Sequence, residues 1–366
     1  MKIKKIVLNI ILGFINIFVK FKKINPRQVA FVSLEAHYLD SDLKLIYDEL
    51  KKDPTIQIKK VLINYDKKTL INNFLYMLNC IKQIYIINTS QVVLIRDNNY
   101  VISKFKRPGV IVIQVWHACG AIKKFGNVIK REYLINNYDY VIANSDYWKE
   151  PYSQAFHVNK SHVLTTGIPR VDHLFDQHYL EKTRKKLFEQ YPQLINKKIV
   201  LYAPTFRGNI YQGFRSIDFD GKKLLEQLPD DYILLYKFHP LLKINHICYD
   251  DKRIFNMNEE DTHDLFTIAD FLVSDFSSII FDFSILEKPM YFYVPDLNEY
   301  LDSLGCFVDY QTMPGPICFE LEELARAILN HESGNIVEFK NKFFKYQDGQ
   351  NTKRVVQLIK EYVKDV

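Results

Sequence analysis

Val110-Ile111-Val112-Ile113-Gln114-Val115-Trp116-His117-Ala118-Cys119-Gly120-Ala121-Ile122-Lys123-Lys124-Phe125-Gly126 joins a run of branched apolar residues to a histidine, a group of small residues and two lysines. A short run without regular polar alternation is the profile of a strand covered on both faces, which places it in a parallel sheet. In an open α/β sheet the carboxyl ends of the strands open onto the ligand crevice. The tract therefore sets a base, a loop permitting close approach and positive charge at one strand end, the layout of a site for an anionic substrate.

The same profile recurs on either side of this tract. Residues 29–34, 61–65, 92–95, 110–115 and 140–144 read as buried strands, with a helical stretch at 42–52, and together they make one α/β domain over residues 26–180. A charged, helix-like passage at 179–191 precedes a fresh strand at 198–202. A second series at 232–238, 253–256, 271–274 and 290–294 makes a second α/β domain over 181–366. Its last segments, 321–331 and 337–366, are helical and are expected to cap that domain. The chain has 366 residues, too many for one ordinary core, and it carries no repeat at a short fixed period.

Composition is globular, with 48% hydrophobic and 25% charged residues. A net charge of +6 suits an anionic lipid or phosphorylated substrate and is too small to argue for nucleic acid. Cys80, Cys119, Cys248, Cys306 and Cys318 are odd in number and form no C-x-x-C pair, which indicates neither zinc nor a disulfide framework. A reducing, cytoplasmic setting fits.

Residues 1–25 carry a second strong feature. Lys2-Ile3-Lys4-Lys5 precedes an apolar stretch at 6–19, followed by Lys20, Lys22 and Lys23. The stretch is shorter than the about 20 apolar residues of a membrane span. On a helix, Lys2, Lys5, Asn9, Gly13, Asn16, Lys20 and Lys23 form a polar stripe opposite an Ile, Val, Leu and Phe face. A basic amphipathic helix of this kind is expected to lie on an anionic membrane surface. Docking on the protein's own core is the competing reading.

No two glycines stand one residue apart and no Gly-Lys-Ser/Thr loop exists, so dinucleotide and P-loop motifs are missing. Polar turns at strand ends take their place. Tyr202-Ala203-Pro204-Thr205-Phe206-Arg207-Gly208 follows one strand, Lys237-Phe238-His239-Pro240 ends another, and Ser274-Asp275-Phe276-Ser277-Ser278 leads into a helix at 279–286. Ser277 and Ser278 stand at a helix start, where free N–H groups and hydroxyls hold a phosphate, and His239 is able to donate to one. Singly, a serine N-cap and a His-Pro turn are ordinary.

In chain order, His117, Thr205-Phe206-Arg207, His239-Pro240 and Ser274–Ser278 with Ile279-Ile280-Phe281-Asp282-Phe283 resemble the CDP-glycerol glycerophosphotransferase family of teichoic acid synthesis. Agreement continues through Glu287-Lys288-Pro289-Met290-Tyr291-Phe292-Tyr293-Val294-Pro295-Asp296, similar to the family's D/E-K-P-x-x-F-Y-x-P-D run, and through Thr166-Gly167-Ile168-Pro169-Arg170-Val171-Asp172. The resemblance implies a GT-B-like architecture, with two facing Rossmann-like domains and an interdomain cleft. The N-terminal domain would take the acceptor and the C-terminal domain the CDP-polyol. It implies transfer of glycerol phosphate from CDP-glycerol to a hydroxyl of an undecaprenyl-diphosphate-linked saccharide, with release of CMP, at the cytoplasmic face of the cell membrane.

By the same resemblance His117 matches the general base, His239 a second histidine on the diphosphate, and Ser277 and Ser278 the phosphate-binding hydroxyls. From charge and position alone, Thr205 and Arg207 are expected at the nucleotide or diphosphate, and Lys123 with Lys124 toward the anionic acceptor. Asp275 is expected to fix the Ser277 turn or, with Asp282, to help hold a loosely bound divalent cation. No intrinsic metal site follows from the histidine spacings, since His157 and His162, like His173 and His178, are five apart.

Chain-extending members read W-H-G-T-P-L-K where this chain reads Trp116-His117-Ala118-Cys119-Gly120-Ala121-Ile122-Lys123, so it looks closer to the primase branch. Its length agrees, since polymerases carry a large additional amino-terminal region. A thiol nucleophile at Cys119 is discounted for want of an orienting group. The alternatives are a chain-extending glycerol- or ribitol-phosphate transferase, a GT-B glycosyltransferase using a nucleotide sugar, and a non-catalytic lipid-binding protein.

Overall fold

The structure, a computed structural model, describes residues 2–34, 36–63, 70–209, 213–238 and 251–363. His239 and Pro240 lie outside the described residues. By its internal contacts the chain forms two compact units, one of Met1–Ala118, Phe125–Asp172 and Phe344–Val366, the other of Cys119–Lys124 and His173–Phe343.

The first unit runs α1 (Lys2–Val19), β1 (Asn25–Ser33), α2 (Ser41–Leu50), β2 (Gln57–Leu62), α3 (Leu70–Thr89), β3 (Ser90–Ile95), α4 (Tyr100–Phe105), β4 (Ile111–Gln114), β5 (Tyr140–Ala143), α5 (Lys149–Phe156) and β6 (Val163–Thr165). Its strands form a parallel sheet in the order β2-β1-β3-β4-β5-β6. Val29–Val32 of β1 and Val92–Ile95 of β3 are fully buried without alternation, because helices cover both faces. The order reverses between β1 and β3, which makes their carboxyl ends the topological switch point.

The second unit runs α6 (Gln177–Gln190), β7 (Lys198–Tyr202), β8 (Arg207–Asn209), β9 (Gly213–Arg215), α7 (Gly221–Glu226), β10 (Tyr232–Tyr236), β11 (Ile254–Asn256), α8 (Thr262–Ile268), β12 (Phe271–Ser274), α9 (Ile279–Ser284), β13 (Met290–Tyr293), α10 (Leu297–Leu304), β14 (Ile317–Cys318), α11 (Leu321–Leu329) and α12 (Ile336–Phe343). Its parallel sheet has the order β11-β10-β7-β12-β13-β14, with β8 and β9 as a separate antiparallel ribbon. Here the switch point lies between β7 and β12. The fold is therefore α/β with two Rossmann-like sheets.

The last helix, α13 (Asn351–Tyr362), returns to the first unit and does not cap the second. Asp172 accepts from the backbone N–H groups of Asn351 (2.9 Å) and Thr352 (2.8 Å), which caps the helix start. At the other end Lys360 reaches Asp53 at 2.8 Å. Gly167 makes room for this docking, since it has φ +81° and a Cβ there would stand 2.0 Å from the Asn351 side-chain oxygen. The units also part at Asp172/His173, eight residues before the sequence boundary at 180, and they exchange Cys119–Lys124.

The helix α1 packs with its polarity reversed from that of an ordinary surface helix. Tyr100 donates its hydroxyl to the Asn9 side chain, and Asn88 Nδ2 donates to Asn16 Oδ1 at 3.1 Å, so the middle of the polar stripe faces the unit. Ile6, Ile10, Phe14, Ile17, Phe18 and Phe21 are exposed. The neighbouring helix α3 adds exposed Ile71, Phe74, Leu75 and Leu78. No helix among the described residues is long and apolar enough to cross a membrane.

Candidate functional site

In the first unit β4 ends at Gln114, and two residues later the chain takes a left-handed turn at Trp116, with φ +63°. A bulky residue at positive φ costs about 1–3 kcal/mol and persists only when its surroundings over-determine it. They do so here. Gln114 Oε1 accepts from the Trp116 N–H at 2.8 Å, while Gln114 Nε2 donates to the Asp97 carbonyl at 3.0 Å. The indole stacks on Phe125 at 4.5 Å and 13°, with Phe156 edge-on at 5.1 Å.

The turn aims the next side chain, His117, which lies half-buried against the indole at 3.8 Å. Its Nδ1 stands 3.3 Å from the Arg96 carbonyl oxygen. A carbonyl only accepts, so Nδ1 carries the proton in the neutral ring and Nε2 keeps its lone pair. Arg170 Nη1 donates to the His117 carbonyl at 2.5 Å, and the Arg170 N–H donates to Asp42 at 2.8 Å. The Thr166–Asp172 motif thus supports the histidine loop from one side and caps α13 from the other.

In the second unit, Thr205, Asp275, Ser277 and Ser278 come together at the carboxyl ends of β7 and β12, the switch point. The Thr205 N–H donates to Asp275 Oδ1 at 2.7 Å, and Arg207 Nη1 donates to Asp275 Oδ2 at 2.8 Å. Arg207 also makes a bidentate pair with Asp296, at 2.6 and 3.0 Å, and donates to the Thr205 carbonyl at 3.0 Å. Its guanidinium lies over Phe276 and Tyr300, which stack on each other at 3.6 Å. Arg207 is thus a buried latch between two turns, with its donors turned on Asp275 and Asp296.

Asp275 fixes the Thr205 turn, where the sequence reading had it fix the Ser277 turn, and both of its carboxylate oxygens are engaged. Asp282 is fully buried and accepts from His263 Nε2 at 3.0 Å. Among the described residues no group of three His, Cys, Asp or Glu is arranged to hold a metal. What the switch point leaves uncommitted is hydroxyl groups. Thr205 Oγ1 is buried and has no hydrogen-bond partner among the described residues. Ser277 and Ser278 are half-buried, and Ser278, the N-cap of α9, makes no side-chain cap bond.

Lys123 reaches the same place, which sequence proximity to His117 did not reveal. Ile122 O accepts from the Phe307 N–H at 2.7 Å and the Lys124 N–H donates to Gly305 O at 3.1 Å. This short antiparallel bridge sets the Lys123 ammonium 5.1 Å from the Phe206 ring and 5.8 Å from Tyr300. Desolvation there pushes the amine down to about 8, against the opposing pull of Asp275 and with a smaller push from Arg207. The run Glu287-Lys288-Pro289 is structural: Lys288 Nζ donates to the carbonyls of Phe266 (2.9 Å) and Ala269 (2.6 Å) at the end of α8.

The pattern of the CDP-glycerol:poly(glycerophosphate) glycerophosphotransferase family matches residues 14–361. The chain belongs to this family. Among relatives, it is 31% identical over 358 residues to the teichoic acid ribitol-phosphate primase of Bacillus spizizenii, covering 92% of this chain and 91% of that one. It is 29% identical to the teichoic acid glycerol-phosphate primase of Bacillus subtilis, covering 99% and 100%. The structure of a variant of the wall teichoic acid polymerase TagF with CDPG superposes with a TM-score of 0.75 at 22% identity, covering 98% and 97%, and shares the fold. The protein is thus a transferase of teichoic acid biosynthesis.

Proposed function

We propose that this glycerophosphotransferase primes a teichoic acid, moving glycerol phosphate from CDP-glycerol to a hydroxyl of an undecaprenyl-diphosphate-linked disaccharide. The observation that carries the reading is His117, held on a strained turn at the end of β4 with Nδ1 facing the Arg96 carbonyl, the tautomer that puts the basic lone pair on Nε2. In the proposed step Nε2 takes the acceptor hydroxyl proton as that oxygen bonds to the β-phosphorus. The bond from the β-phosphorus to the bridging oxygen breaks, and CMP leaves with the electron pair. Ser277, Ser278 and Thr205 are assigned to the donor's phosphates, since their hydroxyls are uncommitted at the second switch point. His239 is assigned to the diphosphate on the strength of the family motif.

Primase is favoured by the near full-length agreement with two relatives named as primases. Ribitol phosphate is a second reading, since the 31% identical relative is a ribitol-phosphate primase. The protein is assigned to the cytoplasmic face of the membrane as a peripheral protein. The exposed apolar faces of α1 and α3 support this, as does the absence of any acidic residue from residues 1–34 and 67–96, which suits an anionic surface. Mass spectrometry of a synthetic lipid-linked disaccharide incubated with enzyme and CDP-glycerol or CDP-ribitol tests the proposal. One added glycerol phosphate with CMP release is expected. A ladder of units would make the protein a polymerase, and a mass gain with CDP-ribitol alone would move it to the second reading.

A further inference from the structure

The geometry points to Lys123 as a ligand of the donor's diphosphate in the second unit, where the sequence reading had assigned it to the acceptor. This rests on the proposed use of a CDP-polyol donor.

Three observations carry it. Although Lys123 lies six residues from His117, Cys119–Lys124 belongs to the second unit by its contacts, and the bridge to Gly305 and Phe307 holds it there. The ammonium stands beside aromatic faces, Phe206 at 5.1 Å and Tyr300 at 5.8 Å, and makes no hydrogen bond or ion pair among the described residues. A half-buried ammonium in that position has lost water without gaining an anion, an arrangement that favours an anionic ligand. Finally, the charges around it are already committed. Arg207 is bound by Asp275 and Asp296, so its positive charge is neutralised within the protein, while Lys123 has no such partner among the described residues; the Thr205 hydroxyl, in the turn that Arg207 and Asp275 hold, is likewise unpartnered among them.

Among the described residues the ionisable groups around Lys123 are Asp275 after β12, Arg207 of β8, Tyr300 of α10, Cys306 after it, and the adjacent Lys124. Burial raises Tyr300 and Cys306 above their usual values, so they stay neutral between pH 7 and pH 8.5. Lys123, held down to about 8 by desolvation, titrates inside that window. Donor capture should therefore weaken as pH rises through about 8, because the charge that attracts the diphosphate is lost.

The test uses the full chain with Lys123→Met and Lys123→Arg. CDP-glycerol, CDP-ribitol and inorganic diphosphate serve as calorimetric ligands, and steady-state kinetics gives KM for donor and acceptor separately. Lys123→Met should raise the donor KM and Kd roughly 10- to 100-fold, the worth of a hydrogen bond to a charged group, with the acceptor KM unchanged. Lys123→Arg should restore most of the affinity and remove the fall in donor kcat/KM above pH 8. A purely structural lysine would give no such pH signature. The proposal is overturned if Lys123→Met leaves the donor constants unchanged or raises the acceptor KM instead. Should the Met variant fail to fold, the Arg variant and the wild-type pH profile decide. If the wild type binds inorganic diphosphate through Lys123 but neither CDP-polyol, the functional reading fails while this assignment stands.

Discussion

Replacing Arg207 by Met separates a latch from a ligand contact. Asp275 is 1% exposed and would lose its ion partner. Removing one member of a buried pair costs about 3–5 kcal/mol, because the other charge stays desolvated. Asp275 keeps the Thr205 N–H bond, and Asp296, with a side chain 24% exposed, turns to water, so the lower end applies: about 3 kcal/mol. That is roughly two orders of magnitude in the unfolding equilibrium of the second unit. Both tryptophans, Trp116 and Trp148, belong to the first unit, which makes the assay selective. In urea titrations the Arg207→Met variant should lose part of its far-UV circular dichroism at lower denaturant while the tryptophan fluorescence transition stays in place. Adding Asp275→Asn should recover part of the loss, since the stranded charge is gone and the Thr205 N–H retains an acceptor. A variant of wild-type stability that no longer binds the CDP-polyol would refute the reasoning and return Arg207 to the diphosphate, where its charge alone had suggested it.

Two further perturbations test the first unit. His117→Ala should lower kcat by about 10²–10⁴-fold, the usual worth of a general base, while calorimetric affinity for CDP-glycerol is unchanged; undiminished turnover would remove His117 from the chemistry. Ile10→Asp with Phe14→Asp should cut binding to vesicles containing anionic lipid by about 10-fold or more without changing the circular dichroism melt, because both side chains face outward. Wild-type binding should fall with added salt as the basic residues are screened, and equal binding by the double variant would assign the apolar face to another partner.

Most strands were legible because both sheets are parallel and covered on both faces, so their strands read as short unbroken apolar runs. Residues 198–202 and 271–274 match β7 and β12 to the residue. The elements that went unread are those whose burial depends on neighbours. The helix α3 spans 20 residues, yet its apolar positions do not gather on one side, and it both packs on the sheet and exposes Ile71 and Phe74. The strands β6 and β14 have three and two residues, too few for any periodicity to register. In the site, residue types were legible and partnerships were not. Arg207 and Asp296 are 89 residues apart, and nothing local marks the arginine as neutralised.

The tract from Val110 to Gly126 shows the same limit within one short segment. Read as sequence, the histidine and the lysines belong to one strand end, because periodicity assigns every residue after β4 to the loop of that strand. Physically, the assignment is made by which backbone offers hydrogen bonds. Gln114 and Phe125 hold Trp116, and so His117, in the first unit, while Phe307 and Gly305 bind the backbone at Ile122 and Lys124, five and seven residues after His117. The chain changes units between Ala118 and Cys119. Small residues at Ala118, Cys119, Gly120 and Ala121 suit that crossing, since it needs a backbone free of bulky side chains while it leaves one set of partners for another. On the roles proposed above, the base and the donor's cation stand six positions apart in the chain, so substitutions between His117 and Lys123 are expected to affect both the acceptor side and the donor side of the reaction.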